Sequence, residues 1–142
     1  MGHLMADGAG VEYYFGYKFA ENNLVCEDWR SRDQSWDYCA HALRFFRDQV
    51  IPFQTMTSAN RLVGNDKNDN SRYCFPKPGA VYLVYLPKVS ATMLDLSGQS
   101  GKFSVRWFNP RTGGEVSGGS VLQVAGGSKV DIGGPKGNAN ED

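Results

Sequence analysis

Histidine and cysteine are scarce in this chain of 142 residues. His3 and His41 are the only histidines, and Cys26, Cys39 and Cys74 the only cysteines. No Cys-x-x-Cys pair and no Cys/His cluster has zinc spacing, so neither a metal nor any other cofactor is expected. Odd in number and far apart, the cysteines read as small buried apolar residues; a disulfide among them would require an oxidising compartment. Net charge is lacking too. Fifteen basic residues balance fifteen acidic ones, which leaves no field to draw the chain onto nucleic acid or anionic lipid. No apolar run approaches the roughly 20 residues that span a bilayer. The opening Met1-Gly2-His3-Leu4-Met5 has no basic segment followed by an apolar stretch, so it does not read as a secretory signal.

What is present suffices for a packed core, since 41% of the residues are hydrophobic and 13% aromatic. The composition shifts along the chain. Residues 1–60 hold all but one of the tryptophans, whereas Gly98 to Gly137 hold eleven of the seventeen glycines. Two architectures are therefore expected in one chain.

The first begins with Gly10-Val11-Glu12-Tyr13-Tyr14-Phe15-Gly16-Tyr17, aromatic and β-branched between glycines, which reads as a strand with apolar residues on both faces. After a charged loop, Trp36, Cys39, Leu43, Phe46 and Val50 recur at spacings of three and four, the signature of one helix face. Asp33 can cap that helix, or Ser31 with Gln34 can form a capping box, and Pro52 stops it. A strand covered on both faces belongs to a parallel barrel, and a lone strand and helix need partners to bury them. A whole barrel takes about 250 residues, so this segment reads as a remnant.

The second architecture is a run of short strands: Arg72–Phe75, Ala80–Leu86, Thr92–Leu96, Lys102–Phe108, Ser120–Val124 and Lys129–Ile132. Pro76-Lys77-Pro78-Gly79, Ser97-Gly98, Asn109 to Gly113 and Gly126-Gly127 supply the turns. Phe103, Val105 and Trp107 alternate with Ser104 and Arg106, one face buried and one wet. Strands at this spacing predict an antiparallel sandwich. The expected fold class is thus mixed. It comprises a (β/α)8-barrel remnant over 1–60, a linker over 61–71, and an all-β antiparallel sandwich over 72–142 that stops before a final strand. Asn65 to Asn70 lacks the glycine and terminal glutamate of an EF-hand loop and reads as solvated linker.

Leu4 to Tyr17, Cys26 to Asp33 and the helix that follows resemble the last barrel unit of the apiosidase-like bacterial glycoside hydrolases. The stretch from Tyr73, with Tyr82-Leu83-Val84-Tyr85-Leu86-Pro87 and Trp107 to Gly113, resembles the C-terminal sandwich of the same proteins, a domain labelled collagen-binding. The resemblance implies a secreted or periplasmic parent acting on a polysaccharide or glycoside through barrel strands absent here. Glycoside hydrolysis uses two carboxyl groups at the carboxyl ends of barrel strands. The resemblance places that pair in the absent strands, so no catalytic residue is assigned and the fragment alone is expected to be inactive.

Glu12 either contacts a sugar hydroxyl or a catalytic partner, or pairs with Arg30 or Arg32 as a buried charge. Tyr14, Tyr17 and Trp29 either form a sugar-stacking wall or pack the barrel core and its loop. Glu12, Tyr14, Tyr17, Trp29 and Arg30 are the candidate substrate-binding set. The alternative function is a stand-alone sandwich that binds polysaccharide or collagen; it predicts an exposed row formed by Tyr82, Tyr85 and Trp107. Trp107 itself alternates with core residues and is expected to be buried. A third role is structural, with the sandwich packed against the barrel.

Overall fold

The computed structural model describes residues 33–88 and 92–137, together with Met5, Gly8 and Arg30. Helix α1 spans Asp33–Asp48, and the 3-10 turns η1 and η2 span Phe53–Thr55 and Asn60–Val63. Six strands follow: β1 Tyr73–Lys77, β2 Val81–Tyr85, β3 Met93–Asp95, β4 Lys102–Ser104, β5 Gln123–Ala125 and β6 Lys129–Asp131. They pair antiparallel as β1–β2, β3–β6 and β4–β5. The fold among the described residues is therefore β-rich, one helix with three small antiparallel sheets. No parallel strand pair occurs among them, and the expected barrel strand 10–17 lies outside the described residues.

Each strand overlaps its expected segment: β2, β3, β4 and β6 are shorter than expected, whereas β1 runs on through Pro76 and Lys77, expected as turn, and β5 runs on to Ala125. The Lys102–Phe108 candidate ends as a strand at Ser104 but keeps bonding its partner. Val105 N–H donates to Leu122 O at 2.9 Å, and Trp107 exchanges bonds with Ser117 at 2.8 and 2.9 Å. The β1–β2 hairpin closes through Pro78 and Gly79. Lys77 O accepts the Ala80 N–H at 3.0 Å, and Gly79 sits at φ +77°. That is the type II turn, with proline presetting the first central residue and glycine supplying the positive φ of the second.

β1 and β2 form a ribbon with apolar residues on both faces. Phe75, Tyr73, Val81, Leu83 and Tyr85 pack with Met5, Ile51 and Met56. Cys74, Tyr82 and Val84 pack on the opposite side with Val63, Leu94, Leu96 and Ile132. The alternation follows from the two-residue side-chain period of a strand. Leu94 and Leu96 are almost wholly buried, and each contributes about 1.5–3 kcal/mol of burial free energy.

The outer edge of β1 is closed by residues 57–60. Thr57 N–H donates to Pro76 O at 3.4 Å and Ala59 N–H to Cys74 O at 2.9 Å. Cys74 N–H donates to Asn60 Oδ1 at 2.9 Å, and Pro76 has no N–H to place. Residues 61–71, expected as a linker, begin inside η2, which packs on β1 and β3. In the polar run Asn65 is buried. Its amide donates to Asp69 O at 2.8 Å and Arg72 O at 2.7 Å, and its Oδ1 accepts the Asp69 N–H at 3.1 Å. A buried amide side chain with three partners is a structural hub, since leaving any of them unmade inside the fold is costly.

Helix α1 differs from its expected face. Phe46 and Ala42 are buried, but Leu43 is 68% exposed. Val50 lies beyond the helix end at φ +49° and is 82% exposed. The contacts that orient α1 are Phe45 stacked on Phe108 at 4.6 Å and Phe46 edge-on to Phe53 at 6.0 Å. His41 packs so closely on Gly113 that a Cβ there would stand 2.6 Å from its ring. The 109–113 turn thus packs against α1 at His41, and the three-four periodicity carries no information about that turn.

Burial pushes the Cys74 thiol up to about 12 from its ordinary 9.0. Between those values the unfolded chain ionises the thiol while the folded chain keeps it protonated, so the folded state loses stability as pH rises through that window. Urea unfolding at pH 8 and above pH 9 should show this loss, and Cys74→Ala should reduce it. Asn60→Ala leaves the buried Cys74 N–H without an acceptor; an equilibrium unfolding curve should report a loss of about 1–3 kcal/mol.

Candidate functional site

An open cleft of about 410 Å³ lies where η2, the β1–β2 hairpin and the turn after β3 meet. Ala59, Arg61 and Leu62 form one wall; Pro76, Pro78 and Tyr82 form the floor; Asp95, Ser97, Gly98 and Gln99 close the far side. Each position follows from a local rule. Pro76 and Tyr82 stand directly opposite in the hairpin register, and there the outward-pointing backbone of β1 tolerates a proline. The Tyr82 ring is held edge-on against Phe103 at 5.6 Å and 88°, and its hydroxyl accepts the Gly79 N–H at 3.2 Å. Asp95 Oδ1 accepts the Ser97 N–H at 3.0 Å, an Asx turn that bends the chain and presents Gln99.

The rim is polar. Arg61 is exposed, and Gln99 is half-buried. Asp95 lies 3.8 Å from Lys129 across β3–β6. Bonds from the Ser97 hydroxyl and N–H, with the Lys129 charge beside it, hold the Asp95 carboxyl below its ordinary value of 3.8, so it is ionised at neutral pH. Among the described residues Asp95 is the only carboxylate in the lining, and no histidine or cysteine among them lines it. Among the described residues the cleft thus combines an apolar floor, a donor-bearing rim and one carboxylate.

Residues 58–141 match the model of a family described as the putative collagen-binding domain of a collagenase. The chain belongs to that family. The match begins at Ser58, where the chain joins the outer edge of β1, and it takes in both walls and the floor of the cleft. The collagen-binding family unit thus includes η2 and the Asn65 hub. No curated protein and no solved structure matches the chain.

Of the candidate set read from the sequence, Arg30 is exposed; Glu12, Tyr14, Tyr17 and Trp29 lie outside the described residues. The expected row of exposed aromatics is not formed. Tyr82 and Tyr85 are three residues apart on one strand and so face opposite sides of the ribbon. Tyr85 stacks on Tyr73 at 5.9 Å. Trp107 is half-buried with its ring against Gly119, and its Nε1 has no acceptor among the described residues. Arg61, Asp95 and Gln99 carried no motif; only the Ser97-Gly98 turn signal pointed to that corner. A carbon-detected NMR titration should place the Asp95 carboxyl midpoint below 3.8, and Ser97→Ala should move it upward.

Proposed function

We propose that this chain is a binding module of a secreted or periplasmic protein. In this reading its cleft holds an extended polypeptide in the polyproline II conformation, the conformation of collagen chains. The observation that carries the reading is the apolar Pro76, Pro78 and Tyr82 floor beside donors at Arg61 and Gln99. A polyproline II chain makes no internal hydrogen bonds, so its carbonyls stay free to accept from such a rim while its proline rings pack on an aromatic-lined groove. Family membership supports the same assignment. Polysaccharide is the less favoured ligand, because sugar stacking uses broad exposed ring faces and the aromatics here are divided between two sides of the ribbon.

A second reading rests on the contact between α1 and the β region. Phe45 on Phe108 and His41 on Gly113 fix the helix against the 108–113 turn. That rigid junction supports an accessory role, with the sandwich covering the side of a glycoside-hydrolase-like barrel whose catalytic strands are elsewhere. Division into 1–60, 61–71 and 72–142 belongs to that reading, as does action of a parent enzyme on complex polysaccharide. The sequence resemblance is its support.

Calorimetric titration of the full chain with a Gly-Pro-Pro repeat peptide, alongside electrophoresis through polysaccharide gels, separates the ligands. Arg61→Ala and Gln99→Ala should each weaken peptide binding on the order of tenfold without changing the melting temperature. Gel retardation with no peptide binding would overturn the polypeptide assignment.

A further inference from the structure

The two edges of the β1–β2 ribbon are finished differently. On the β1 side, Cys74 and Pro76 point their backbone groups outward, where Asn60, Ala59 and Thr57 take them. Antiparallel pairs alternate between bonded and non-bonded positions. The residues opposite Cys74 and Pro76 are Val84 and Tyr82, so those two point their N–H and C=O groups outward on the far side. Among the described residues no backbone partner meets either of them. The usual protections of an edge are missing as well: Val81-Tyr82-Leu83-Val84-Tyr85 contains no proline, no charge and no bulge. All five residues are half-buried, leaving apolar area still uncovered on both faces.

We propose that this edge pairs with the same edge of a second copy of the chain. The order of the five residues argues for that occupant. A two-fold axis through Leu83 places Tyr82 opposite Val84 of the other copy, Leu83 opposite Leu83, and Val81 opposite Tyr85. Every outer pair is then an aromatic residue against a β-branched one, a favourable cross-strand combination. Tyr82 and Val84 exchange both bonds with their opposites, twice over by symmetry. The contact is isologous and closes on itself, giving a four-stranded sheet with no exposed central edge. Side chains at 81, 83 and 85 extend the Met56–Phe75 layer, while those at 82 and 84 extend the opposite one.

Light scattering on the eluting full chain, run across a concentration series, should show a mass rising toward twice 15.7 kDa. Val84→Pro should return it to 15.7 kDa with a cooperative melt retained, because it removes only an outward N–H and because Pro76 already occupies an outward position of this ribbon. Hydrogen exchange on the unmodified chain gives a reading independent of that variant's folding. The Tyr82 and Val84 amides should gain protection with concentration, while the Leu83 amide, bonded inward to β1, should not change. A single-chain mass at every concentration would overturn the proposal. So would an assembly in which the Tyr82 and Val84 amides exchange as fast as in dilute solution.

Discussion

The side-chain amide of Asn60 stands where a neighbouring strand would otherwise be required. β1 has one outward-pointing N–H in its middle, at Cys74, and the next outward position is a proline. One acceptor therefore completes that edge, and Asn60 Oδ1 provides it inside a buried setting where an unmade bond would be expensive. Holding Asn60 there fixes η2, which in turn directs Val63 into the core and Arg61 and Leu62 onto the wall of the cleft. Asn65 then ties the returning chain to β1 through Arg72 O, so the polar run 65–72 enters the strand at one register. The cleft is a by-product of how that edge is closed.

The ribbon so placed is a middle layer. Its odd-numbered residues face Met5, Ile51 and Met56, and its even-numbered ones face Leu94, Leu96 and Ile132. Neither group alone is large, and the ribbon belongs to both. Substitutions on either face of β2 are therefore felt through the backbone by the other. Among the described residues, α1 meets Phe108 and Gly113 in the turn after β4 and Phe53 in η1.

Much of this fold was legible in the sequence. Alternation at Phe103, Val105 and Trp107 located β4, and Pro-Gly and Asn-Pro signals located the turns, because strand period and turn chemistry are local properties. The face of α1 was misread at Leu43 and Val50, since periodicity reveals a stripe and not what covers it. The buried role of Asn60 and Asn65 was hidden for a similar reason: a polar residue reads as exposed unless the backbone group it satisfies is known. Tyr82 was named from the sequence as part of an aromatic row, yet a spacing of three on a strand already set Tyr82 and Tyr85 on opposite faces. Arg61, Asp95 and Gln99 meet only through the packing of η2 on β3, a long-range contact that no short pattern encodes.

The strand pairing also sets an order of assembly. β1 and β2 are joined by a three-residue turn that proline and glycine have already shaped, so their pairing needs little chain closure and can complete as soon as the hairpin is made. β3 waits for β6, which arrives only after β4 and β5. During synthesis the hairpin therefore exists for a time with Cys74, Tyr82 and Val84 uncovered, their partners Leu94 and Ile132 not yet joined. The apolar length of β2 that serves the finished molecule is, at that stage, its point of greatest exposure to off-pathway pairing.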